Sequence, residues 1–235
     1  MRCWAVMLSA LVLVAGCSER VGGQSQPTKL TPLPSPPSKS APPKSSASSS
    51  SPPPPTAPPS PGAPVGDVAA WIAAGEPVDV AGFHTASRDG TPVDLGGDVA
   101  FITPSGKTRC ATMTSFTNAV TDTLSCLVDL KNPPPRPPNF PTHWQANWVD
   151  FDGQSVTVGS GHGDPGPFVN GDGPQLPYGK TLKFGDYQCR TDKIGLYCAN
   201  AAHQSAVRYS DAGIEPFGCL KSVPPPPDIG LEFSC

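Results

Sequence analysis

No apolar stretch in this chain is long enough to cross a bilayer as a helix. The longest, Trp4 to Ala15, runs for about 12 residues against the roughly 20 a transmembrane helix needs, which excludes a spanning protein of the helical kind. Charge is also sparse, at 15% of residues, and it is unevenly placed. From Gly66 onward there are 11 Lys and Arg against 18 Asp and Glu, a net of −7, while the part before it carries 5 against 1. An acidic balance of this kind argues against nucleic acid as a partner.

The motifs of common chemistries are missing as well. Gly106-Lys107-Thr108 ends like a phosphate loop, but Phe101 stands where that loop needs its first glycine. Around Ser160 the positions that a nucleophile elbow fills with glycine hold Val158 and His162, so Gly159-Ser160-Gly161 reads as a flexible loop. Ser105 and Ser205 read as ordinary loop or strand serines. The four histidines, His84, His143, His162 and His203, are scattered along the chain, and closeness in space is not legible from sequence. Asp150-Phe151-Asp152-Gly153 lacks the remaining ligands of a calcium loop. Gly161-His162-Gly163-Asp164 and Asp172 fit turns better than a metal site, because Asp before Gly or Pro is common turn chemistry. No catalytic residue, metal or cofactor is therefore expected.

What is present at the N-terminus is a signal-sequence pattern: Met1-Arg2, the uncharged apolar stretch, and then Val14-Ala15-Gly16-Cys17. This ending matches the bacterial lipobox, in which a signal peptidase cuts before a cysteine whose thiol takes a diacylglycerol. Residues 1–16 are thus expected to be removed and Cys17 to carry lipid. Arg2 has no adjacent arginine, so the general secretory route is expected rather than the twin-arginine one. Two or three acyl chains hold a protein stably at a membrane where one is marginal. The expected location is the outer, extracytoplasmic face of the cell membrane.

Residues 17–65 continue as a spacer dominated by Pro, Ser, Ala and Thr, including Ser48 to Ser51 and Pro52 to Pro55, a composition that cannot build a core. Its roughly 43 Pro/Ser-rich residues reach about 130 Å fully extended and about 36 Å as a coil. Serines and threonines beside prolines are also candidates for O-linked sugars. Arg20, Lys29, Lys39 and Lys44 lie near the anchor, where anionic headgroups attract them weakly.

Residues 66–235 are enough for one domain with its own core. Beyond Cys3 and Cys17 they hold Cys110, Cys126, Cys189, Cys198, Cys219 and Cys235. An even number in an oxidising compartment predicts three disulfides. Val99 to Thr103, the turn Pro104-Ser105-Gly106 and the β-like run Thr123 to Leu130 favour Cys110 with Cys126. Leu182 to Cys189 and Ile194 to Asn200 flank a polar turn at Arg190 to Lys193, which puts Cys189 beside Cys198. Cys219 and Cys235 are left to each other, closing a proline-rich loop. Each closure contributes roughly 3 kcal/mol in the chain-entropy description.

Asp67 is placed to cap a short helix with Val68, Trp71 and Ile72 on one face, ended by Gly75 and Pro77. Ala146 to Phe151 and Gln154 to Val158 flank Asp152-Gly153, a strong hairpin signal. Asn132 to Pro141 and Val223 to Pro227 are too rich in proline for a central strand. The expected fold is mainly β: a small antiparallel sandwich or open barrel, stapled by disulfides, with one short N-terminal helix.

Phe101-Ile102-Thr103-Pro104-Ser105-Gly106-Lys107 before Cys110, Leu124-Ser125-Cys126, Leu176-Pro177-Tyr178-Gly179, Gly185-Asp186-Tyr187-Gln188-Cys189 and Gly195-Leu196-Tyr197-Cys198-Ala199-Asn200 together resemble a widespread actinobacterial exported domain of unassigned function. With the lipobox, the linker and the tail Gly213-Ile214-Glu215-Pro216-Phe217-Gly218-Cys219, the chain resembles the LppI type of mycobacterial lipoprotein. The resemblance implies export and anchoring and brings no reaction with it. Trp144, Trp148, Phe151, Tyr178, Phe184, Tyr187 and Tyr197 offer a platform for a sugar or lipid, although strand spacing favours core packing. The leading expectation is a non-catalytic binding or interaction module, held to the membrane by lipid, whose partner is an envelope protein, glycan or lipid. The alternatives are an envelope hydrolase assembled from distant loops and a purely structural component.

Overall fold

The computed structural model describes residues 56–114 and 123–235. Residues 1–16, expected to be a signal peptide, Cys17 and nearly all of the expected spacer lie outside the described residues. Helix α1 spans Val65–Ala73 and precedes the strands β1 (Glu76–Pro77), β2 (Thr85–Arg88), β3 (Thr91–Asp94), β4 (Ala100–Ile102), β5 (Thr108–Thr112), β6 (Leu124–Val128), β7 (Trp144–Phe151) and β8 (Ser155–Gly161). The chain continues through β9 (Lys180–Phe184), β10 (Tyr187–Asp192), β11 (Gly195–Asn200), β12 (Ser205–Ser210), β13 (Gly213–Gly218), β14 (Lys221–Val223) and β15 (Ile229–Ser234). The protein is mainly β, as expected, and its sheets do not close into a barrel.

Two sheets form a sandwich. One runs β1-β9-β10-β11-β12-β13 and the other β14-β15-β8-β7-β6-β5-β4, with β2 and β3 as a separate hairpin. Neighbours are antiparallel except β1 and β9, whose pairing is parallel. Alternate residues of a strand face opposite sides, and the inward set is apolar on both sheets: Leu124, Cys126, Val149, Phe151, Val156 and Val158 meet Leu182, Cys189, Leu196, Cys198, Val207 and Tyr209 in one cluster. The Tyr187 hydroxyl crosses this core to donate to the Phe151 carbonyl at 2.8 Å.

All three expected disulfides are present: Cys110–Cys126, Cys189–Cys198 and Cys219–Cys235. The first two join directly opposed residues of adjacent strands. The third ties the residue just before the buried Leu220 to the end of β15.

Helix α1 buries Val68, Trp71 and Ile72, the face read from the sequence. They cover Tyr197, Ala199, Ala206 and Phe217, which point outward from β11 to β13. That is why β11 is buried on both faces after its first residue. The Trp71 ring lies 4.9 Å from Tyr197, with the Arg190 guanidinium 4.1 Å from its centroid.

Three details depart from expectation. Asp67 does not cap α1; Pro64 holds the cap position without a side-chain bond, and Asp67 sits in the first turn, where its charge faces the positive end of the helix dipole. The stretch Leu182 to Cys189 is two strands rather than one, because Gly185-Asp186 makes a tight turn, and β10 runs on through Asp192. The folded body also begins upstream of Gly66: Ala63 and Val65 pack against the α1 cluster, and the Tyr197 hydroxyl donates to the Pro59 carbonyl at 3.1 Å.

Candidate functional site

The sequence brings its chemistry-bearing side chains together most closely on β6, β7 and β8. Ser125 and Asp150 are cross-strand partners, and both alternate with core residues, so they share the outer face of the seven-stranded sheet. The Ser125 hydroxyl donates to Asp150 Oδ1 at 2.5 Å, and the Trp148 indole N–H donates to the same oxygen at 2.8 Å. Burial pushes the Asp150 carboxyl above its ordinary value, against the two donors and the nearby His162, which lower it.

His162 stacks on Trp148 with ring centroids 3.6 Å apart, and its Nε2 lies 2.8 Å from Ser160 Oγ. Burial holds the imidazole below its ordinary value, while the charges of Asp150 and Asp164 act the other way. The turn at Gly166–Asn170 sets Phe168 edge-on to Trp148 at 5.2 Å. The result is a chain of contacts from Ser125 through Asp150 and Trp148 to His162 and Ser160.

A serine beside a neutral imidazole is half of a nucleophile pair. The rest of the geometry is of another kind. Asp150 reaches His162 through its charge while its Oδ1 accepts from Ser125 and Trp148. Ser160 is buried within β8, so the expected flexible loop at Gly159-Ser160-Gly161 is instead strand. The reason is packing: a Cβ on Gly159, which has φ +72°, would lie 2.8 Å from Pro134 and from Trp144, and one on Gly161 would lie 2.4 Å from Phe140. These glycines admit the proline-rich segment over the sheet rather than shaping an elbow.

The other candidates are spread out. His84 Nδ1 bonds the Asp98 carbonyl, the His143 carbonyl accepts from the His162 N–H, and His203 lies beside Gly153. Asp152 accepts from the Gln154 and Ser155 N–H groups, Asp164 accepts from the Gly166 N–H, and Asp172 pairs with Arg109. Among the described residues no three His, Cys, Asp or Glu side chains gather as a metal site. Of the seven aromatics, Trp148, Phe151, Phe184, Tyr187 and Tyr197 are buried, Trp144 is half-buried and Tyr178 is open. Phe151, Phe184, Tyr187 and Tyr197 pack into the two core clusters, while Trp148 stacks on His162 at the outer face of the seven-stranded sheet.

A cavity of about 320 Å³ opens between the first turns of α1 and the β9–β10 and β11–β12 turns. Val65, Ala69 and Ala199 supply its apolar wall, and Lys183, Gln188 and Gln204 its polar one. Neither Ser160 nor His162 lines it. The Ser125–Asp150 pair and this cavity were not read from the sequence: the first needs the register of β6 against β7, and the second joins segments more than a hundred residues apart.

No family model, no curated protein and no solved structure matches this chain.

Proposed function

We propose that this chain is an exported lipoprotein, anchored through Cys17 at the extracytoplasmic face of a membrane, whose disulfide-stapled sandwich is a non-catalytic binding module. The observation that carries the reading is that all six cysteines after Cys17 form disulfides, which persist in an oxidising compartment. The lipobox Val14-Ala15-Gly16-Cys17 and the resemblance to the LppI type of mycobacterial lipoprotein support the anchor. The cavity beside α1 supports binding: it lies at the lower end of the size range of small-ligand sites and combines apolar with amide lining. Its chemistry suits a glycan or an envelope peptide.

Mass spectrometry of the N-terminus tests the anchor. The expected mature chain begins at Cys17 with acyl mass, and Cys17→Ala abolishes both cleavage and lipid. A mature chain that starts elsewhere without lipid defeats the reading.

The Ser160–His162 contact at 2.8 Å favours a second reading, an envelope hydrolase. A fluorophosphonate adduct on Ser160 in the native protein would establish it. The burial of Ser160 and the packing role of its flanking glycines place this reading second.

A further inference from the structure

We infer that the Cys219–Cys235 disulfide is a redox-operated latch on the C-terminal hairpin. Access separates it from the other bridges. Cys110 and Cys126 are 2% and 0% exposed, and Cys189 and Cys198 are both 0% exposed. Cys219 and Cys235 are both exposed. Exchange requires a thiolate to reach a disulfide sulfur, so a reductant meets this bridge first.

The bridge holds a segment with little core of its own. No residue from 221 to 235 is buried, and Phe233 packs against the core from a half-buried position. Yet β15 forms the ladder that covers the edge of β8, from Ile229 opposite Ser160 to Ser234 opposite Ser155. The Cys235 N–H also donates to the Gln154 carbonyl at 2.9 Å. Closure therefore fixes both ends of a hairpin that is otherwise held by its ladder with β8 and by half-buried Phe233, and a region with so few buried contacts is the kind that opens first. Gly230 seats β15 tightly against the proline-rich segment, since a Cβ there would lie 2.6 Å from Pro134.

The reductant is a dithiol. Its thiolate attacks one sulfur, the S–S bond breaks, and a mixed disulfide forms. Its second thiol then displaces the protein sulfur, so the protein gains two thiols and the reductant leaves as a disulfide, with two electrons and two protons transferred. The hairpin is then free to leave β8, whose edge from Ser155 to Ser160 becomes an unpaired strand.

The test uses the full mature chain in detergent, with graded dithiothreitol and no denaturant, followed by alkylation mapping and hydrogen exchange. Cys219 and Cys235 should be alkylated at least roughly tenfold faster than the other four cysteines, as access governs exchange. Deuterium uptake should rise in peptides covering 155–161 and 221–234 while 189–200 stays protected, and oxidised glutathione should restore the closed pattern. The C219S/C235S double variant should show the open pattern without reductant. If that variant does not fold, partial reduction of the native chain carries the test. Equal alkylation at all three bridges overturns the latch, and so does selective alkylation without added exchange in 155–161.

Discussion

Over the six-stranded sheet, α1 lays Val68, Trp71 and Ile72 on Tyr197, Ala199, Ala206 and Phe217. Over the seven-stranded sheet, the Gly166–Asn170 turn closes on Trp148, and the carboxylate of Asp150 lies next to that indole. The first cover contributes through area removed from water, which needs no particular partner and is indifferent to pH. The second contributes only while each buried polar group keeps its hydrogen bonds, because an orphaned one costs more than a made one yields. The two outer faces of one sandwich should therefore answer differently to truncation and to acid.

Trp71→Ala should have the largest effect, a loss of about 3–5 kcal/mol in urea denaturation, as for other buried aromatics. Trp71 is 1% exposed and touches both Tyr197 and Arg190. A loss well under that range would mean that α1 is a dispensable cover and would erase the contrast.

Asp150 comes next. Asp150→Ala removes the acceptor for Ser125 and Trp148 and should cost about 1–3 kcal/mol, whereas Asp150→Asn keeps an oxygen there and should cost less. The pH dependence sharpens the contrast. Burial raises the carboxyl in the folded chain, so the folded state holds this proton more tightly than the unfolded one. The stability of the native chain relative to Asp150→Asn is therefore greatest below the ordinary carboxyl value and declines as pH rises through the raised one. Urea midpoints of both chains across the acidic range measure this, and a constant difference would contradict it.

The smallest effect is expected at Lys131. Its ammonium lies 3.2 Å from Asp211 but its side chain is 67% exposed, and exposed pairs contribute little. Lys131→Ala should shift stability by about 0.5 kcal/mol or less on either side of zero. A larger shift in thermal or urea midpoints would show that the rim charges act as a network through Asp211, which also pairs with Lys107.

The parts of this fold visible in the sequence are those specified by near neighbours. Val68, Trp71 and Ile72 fall on one helical face by spacing alone, and Cys189 with Cys198 follows from a local hairpin. Asp152-Gly153 marks the β7–β8 turn for the same reason. The parts that stayed hidden depend on distant chain. The parallel pairing of β1 with β9 joins Glu76 to Lys180, and nothing near either residue signals it. Gly159 and Gly161 look like loop residues because glycine usually marks loops; here they are glycine because Pro134, Trp144 and Phe140 lie over the strand. In the site, Asp150 is visible as an acidic residue near a turn, but its hydrogen bonds to Ser125 and Trp148 follow from the register of two strands.

The way the chain enters the domain sets how it bears load. Tyr197 holds the Pro59 carbonyl, Ala63 and Val65 rest on the α1 cluster, and Trp71 pins the helix further along. A pull applied upstream of Thr56 meets these attachments one after another, so they peel rather than resist together. A pull that undocked the helix would free the chain between residues 56 and 75, about 60 Å when extended. The two core disulfides carry no tension until that slack is spent. Helix α1 therefore lies in series ahead of the sandwich and is the first element that a load entering from the N-terminal side would reach.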